Sequence, residues 1–135
     1  MKTNFNIYEK LNSFVNPLEF PKLLHEVWTQ IPEEDQQVIW QNIAYIHGVD
    51  YTRYNEKQQL NQNITTTEAG RTTLYENTEL CVVYIDGSRT HKDIKISIAH
   101  ELAHVFYNYP KKQTEKQIAE DEAKDKAREW GFVQP

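Results

Sequence analysis

His100, Glu101 and His104 stand in the order H-E-x-x-H, inside an apolar run at 94–107 that has helical spacing. Residues four apart on a helix share one face, one turn above the other. Two imidazoles so placed can both reach a single Zn²⁺ at about 2.0–2.1 Å. The glutamate between them then lies beside the open coordination position, where it can take a proton from water. This is the sequence signature of zinc-dependent peptidase chemistry. Ile96, Ile98 and Ala99 lead into the motif, and Val105, Phe106 and Tyr107 follow it. An exposed amphipathic helix could carry the same letters with no chemistry attached. Here the polar residues sit in apolar surroundings, which is costly unless something satisfies them, and a metal would.

Catalytic zinc usually has three protein ligands and one open position, so the pair is one ligand short. A second, acidic helix is expected at 114–130. Thr114 and Gln117 fit a capping box at its start, and Gly131 fits its stop. Ala119, Ala123, Ala127 and Trp130 fall on one stripe, small enough to let this helix pack closely on another. Glu120 flanks the stripe and is the first candidate for the third ligand, with Asp121 and Glu122 as alternatives. The remaining charges, among them Lys116, Lys124, Lys126, Arg128 and Glu129, read as a solvated face.

Other polar residues carry weaker signals. His91 precedes the zinc helix and could stabilise an oxyanion, or could close the site as a fourth ligand, although a loop histidine explains it as well. Tyr107 lies one turn beyond His104 and could line the pocket, with Tyr109 and Tyr84 behind it. Ordinary core-edge tyrosines account for all three. His25 and His47 read as structural or surface residues.

The 135 residues make one domain's worth of chain, with Trp28, Trp40, Trp130 and the aliphatic runs to supply a modest core. A net charge of −5 and the absence of a basic patch argue against direct nucleic-acid binding. The single cysteine, Cys81, cannot form an intrachain disulfide and reads as a small buried hydrophobe. No signal core and no membrane span can be read in the chain, so the expected location is the cytoplasm.

Ile7, Tyr8, Leu11, Phe14 and Val15 have the spacing of a short first helix. Leu23, Leu24, Val27, Trp28 and Ile31 form a clear helical stripe. Pro32 then opens another helix, with Glu33, Glu34 and Asp35 in its first turn, running to about Gln41. Residues 43–49 are read as a strand. Residues 64–69 and 71–75, split by Gly70, suggest a hairpin, and 80–85 is the best strand. Asp93 can cap the zinc helix. This order suggests helices around a small, mostly antiparallel sheet. Its strand at 80–85 should lie near the zinc helix and could offer an exposed edge to a substrate backbone.

I-S-I-A-H-E-L-A-H at 96–104, followed by E-D-E-A at 120–123 and W-G-F at 130–132, resembles the ImmA/IrrE-type zinc metallopeptidases, and in particular the short versions of phages and mobile elements. The likeness covers about 26–133, with 1–20 an N-terminal helix or arm, and treats 1–135 as a single metallopeptidase-like domain. It implies an α+β, zincin-like fold: helices packed around a small, mostly antiparallel sheet, with H-E-x-x-H on a central helix. It implies His100, His104 and Glu120 as ligands of one Zn²⁺ and Glu101 as general base. It also implies a protein substrate, such as a helix-turn-helix repressor of a mobile element or stress programme. One position departs. The family usually carries Asp or Asn four residues after the ligand glutamate, where it can orient a ligand histidine. Lys124 stands there and has no acceptor to offer. Asp125 could substitute, or Asp121 could be the ligand with Asp125 behind it. Failing both, the fold would serve as a weakly catalytic or inactive module that binds a repressor or antitoxin.

Overall fold

The computed structural model describes residues 5–11, 19–50, 70–75, 78–85, 90–109 and 115–133. A 3-10 turn, Ile7–Lys10, precedes four α-helices: α1 (Phe20–Gln30), α2 (Glu33–Asn42), α3 (His91–Phe106) and α4 (Lys116–Glu129). Between α2 and α3 lie three strands, β1 (Ile43–Asp50), β2 (Gly70–Tyr75) and β3 (Thr78–Ile85).

α1 forms where Pro21 sets the first turn and Phe20, Leu23, Leu24, Val27 and Trp28 bury one stripe. α2 starts from Pro32, with Glu33, Glu34 and Asp35 placed to favour the positive end of the helix dipole. α3 is buried on every side from Ile96 to Val105, the pattern of a helix at the centre of a core. It touches α1, α2, α4, β2 and β3. Thr90 caps it, its hydroxyl accepting the Asp93 N–H at 3.1 Å, so Asp93 is a first-turn residue and not the cap expected from sequence. α4 starts after Glu115 with no side-chain cap. Thr114 lies outside the described residues, and Gln117 donates to Asp121.

The α+β, zincin-like expectation is overturned. Among the described residues the protein is mainly helical, and its core there is helix packed on helix, drawn from α1, α3, α4 and the flanking Trp130 and Phe132, with Ile39 of α2. Of the strand residues whose side chains are described, Ile43 and Ile46 enter that core. Nor are the strands mostly antiparallel: β1 pairs with β3 in parallel, and β2 pairs with β3 antiparallel, in the order β1-β3-β2. Strand periodicity marks each segment but says nothing of its partner, and a long crossover between β1 and β3 permits parallel pairing. β2 therefore joins β3, while 64–69, its expected partner, lies outside the described residues. β3 does lie against α3. As the middle strand it is paired on both sides, so it has no open edge for an added strand. The first helix is also shorter than its periodicity suggested: a single turn ends at Lys10, and Leu11 bridges to Ile46 of β1.

Three long-range hydrogen bonds tie the described segments together. Asn42 Nδ2 donates to the Val105 carbonyl at 2.9 Å. Trp130 Nε1 donates to Asp35 at 2.9 Å. Trp28 Nε1 donates to the Phe5 carbonyl at 2.7 Å. No described helix is long and apolar enough to cross a membrane.

α4 presents Ala119, Ala123 and Ala127 to the interior, all buried. These short side chains allow its backbone to approach α3 closely. We expect Ala123→Leu, which adds bulk where there is no space, to lower stability by about 1–3 kcal/mol in urea denaturation.

Candidate metal centre

α3 supplies His100, Glu101 and His104, all buried. α4 supplies Glu120, next to the alanine stripe and only half-buried. His100 Nε2 lies 2.9 Å from one Glu120 oxygen, and His104 Nε2 lies 3.2 Å from the other. One ligand atom from each of the three residues falls within 4.8 Å of the others, and this is the one such metal-competent group among the described residues. The two imidazole rings stand edge-on, 4.7 Å apart at 89°. Their Nε2 atoms thus approach a shared point from two planes, with the carboxylate closing the third side.

The electrostatics suit a cation. Burial pushes His104 down from 6.5 to about 4, and the neighbouring His100 adds to the effect; the charge and hydrogen bond of Glu120 pull the other way without prevailing. At neutral pH the His104–Glu120 contact is therefore a hydrogen bond from a neutral ring, although its geometry also meets the distance for an ion pair. A neutral imidazole is the form that binds metal. Glu101 is buried beside the pair and has interaction partners of its own.

The far side of each ring is less well served. Nδ1 of His100 and Nδ1 of His104 are both buried with no hydrogen-bond partner among the described residues. Metal-binding histidines ordinarily donate this N–H to a carboxylate or carbonyl. Lys124, which stands where such an acceptor was sought, is exposed. Asp125 does not replace it, being exposed and paired with Arg128 at 3.5 Å.

Of the alternative ligands, Asp121 is exposed and held by Gln117 at 3.1 Å, Glu122 is half-buried, and neither belongs to the converging group. His91 is not brought to the site. It begins α3, more than two turns before His100, and lies 2.6 Å from Glu19 with both side chains largely exposed. Tyr107 packs on Phe106 and lies under the Lys126 ammonium, 5.9 Å from its ring centre. The tyrosine at the site is Tyr109, whose ring centre lies 5.0 Å from that of His104. Asn108, after glycine the residue most tolerant of a left-handed turn at a helix end, was the sequence signal for it. His25 stacks on Tyr8, away from this cluster. The side chains of His47, Cys81 and Tyr84 lie outside the description.

No family model, curated protein or solved structure matches this chain.

The depressed His104 has a consequence for metal-free protein. The native ring resists protonation down to about pH 4, whereas in the unfolded chain it titrates near 6.5. Below that value the unfolded state binds the extra proton, so stability falls as pH drops from 6.5 towards 4. We expect the stability of metal-free wild type, measured relative to His104→Gln by chemical denaturation, to decline by up to about 3 kcal/mol over that range.

Proposed function

We propose that this protein is a zinc-dependent peptidase acting on a protein substrate. The observation that carries the reading is the convergence of His100, His104 and Glu120 beside a buried Glu101. The donor set fits zinc: two neutral imidazoles and a carboxylate, the two-histidine, one-glutamate combination of catalytic sites. The spacing fits as well. Ligands bound at about 2.0–2.1 Å to a tetrahedral ion lie roughly 3.3 Å apart; the histidines lie 2.9 and 3.2 Å from separate oxygens of Glu120, and the three ligand atoms all fall within 4.8 Å of one another.

A bound zinc would act as a Lewis acid towards the scissile carbonyl and make water acidic enough to ionise near neutrality. The chain's own residues do the rest. Glu101, one residue after His100 on the same helix turn, takes the proton from the attacking water at a carboxylate oxygen. It then delivers that proton to the nitrogen of the departing amine. Glu120, with its side chain 34% exposed, leaves one flank of the site open to solvent and so to a peptide. The resemblance to ImmA/IrrE-type peptidases supports a helix-turn-helix repressor of a mobile element or stress programme as the substrate, and cytoplasmic work.

A second reading is favoured by the two Nδ1 atoms that have no partner among the described residues. A buried donor without an acceptor costs about 1–3 kcal/mol, and that would weaken a site in which both ligand rings must carry a proton on Nδ1. The protein would then hold its partner without cutting it.

Metal content and Glu101→Gln separate the two. We expect about one zinc per chain in wild type and in Glu101→Gln, and none in His104→Ala or Glu120→Ala, since the third ligand completes the site. Peptidase activity should disappear in Glu101→Gln. Unchanged biological activity in that variant would support the binding module and end the peptidase reading.

A further inference from the structure

The end of α3 is built from a specific turn. Asn108 is left-handed, with φ of 60°. Its N–H bonds to the Val105 carbonyl at 2.9 Å, and the next N–H, of Tyr109, reaches back to the His104 carbonyl at 2.9 Å. This pair of bonds is the Schellman motif. In it, the residue two beyond the cap commonly makes an apolar contact with the third residue before the cap. α4 ends in the same way at Gly131, where φ is 101° and the Phe132 N–H bonds to the Ala127 carbonyl at 2.8 Å. There the paired positions hold two buried apolar residues, Phe132 and Ala127. In α3 the same two positions hold Tyr109 and His104, and the rings lie 5.0 Å apart with a tilt of 36°.

We infer that Tyr109 is a positioning residue, whose ring sets the orientation of His104 towards the point shared with His100 and Glu120. The inference rests on the metal reading above. The ring torsion of histidine is broad, so a ligand ring must be fixed by something outside itself. The usual device is an acceptor for the second ring nitrogen, and Nδ1 of His104 has none among the described residues. Among the described residues, ring packing is the contact that holds it. The His104 ring meets His100 edge-on at 4.7 Å and Tyr109 at 5.0 Å. The backbone bond between Tyr109 and His104 makes the second contact a consequence of how the helix ends.

The test measures affinity for Co²⁺ by competition with a chelator, together with the visible absorption of the bound cobalt and helix content by circular dichroism, on the full chain. Tyr109→Phe keeps the ring and should bind as wild type does, with the same spectrum. Tyr109→Ala should bind roughly tenfold more weakly, in line with losses on removing groups that orient ligands, and should change the spectrum. Asn108→Gly keeps the left-handed turn and should match wild type. Asn108→Val, strained at that φ, should behave like Tyr109→Ala. If Tyr109→Ala loses helix content, Tyr109→Leu takes its place, because it fills the contact without a flat face; weaker binding than Tyr109→Phe supports the inference, and equal binding overturns it. Wild-type affinity and spectrum in a folded Tyr109→Ala would overturn the role of Tyr109 and leave the metal site standing. Absence of cobalt binding in wild type would bring down the metal reading, and this inference with it.

Discussion

The close approach of α4 to α3 is the constraint on which the site depends. His100 and His104 are placed by one helix, and any two histidines four apart would face the same way. Glu120 comes from another helix and can meet them only if the two backbones run near each other. Ala119, Ala123 and Ala127 supply that proximity, because α4 brings nothing larger than a methyl group to the contact along the stripe. The ends of the pair are fixed separately. Phe106 meets Trp130 edge-on at 6.2 Å, and Trp130 is anchored to Asp35 of α2.

Burial does two kinds of work at this contact. It excludes water from α3, which makes a protonated His104 unfavourable and leaves its ring neutral. It also raises the stakes for every polar atom inside. The Nε2 atoms are answered by Glu120, while the Nδ1 atoms have no answer among the described residues. The same low-dielectric setting thus sharpens one side of each imidazole and leaves the other side exposed to loss.

Legibility in the sequence followed the range of the interaction. His100, Glu101 and His104 are bound together by helical periodicity alone, so their spacing could be read directly. Glu120 was also within reach, since the alanine stripe marks which face of α4 must turn inward. The stripe could not say which of the neighbouring acids points to the histidines; that depends on the crossing of two helices. Tyr107 was ranked above Tyr109 because helical spacing extends α3 past its true end, and the left-handed Asn108 redirects the chain there. His91 looked close in sequence, but its position two turns along the helix axis hands it to Glu19. The sheet was the least readable part. Strand segments are local, whereas the parallel pairing of β1 with β3 depends on a long-range crossover.

An interface made of alanines buries little apolar area, so α4 gains less from the hydrophobic effect than a helix lined with leucine would. Its seat on α3 relies correspondingly more on Glu120 reaching across to the two rings. An ion gripped by all three residues would cross-link α3 and α4, acting as a clasp between them. Docking of α4 and occupancy by the ion are then thermodynamically linked: whatever tightens one tightens the other. With an ion bound there, α4 would be the part of the fold most responsive to the surrounding metal supply, and chelation would loosen it before the helices packed through Phe20, Leu24 and Val27.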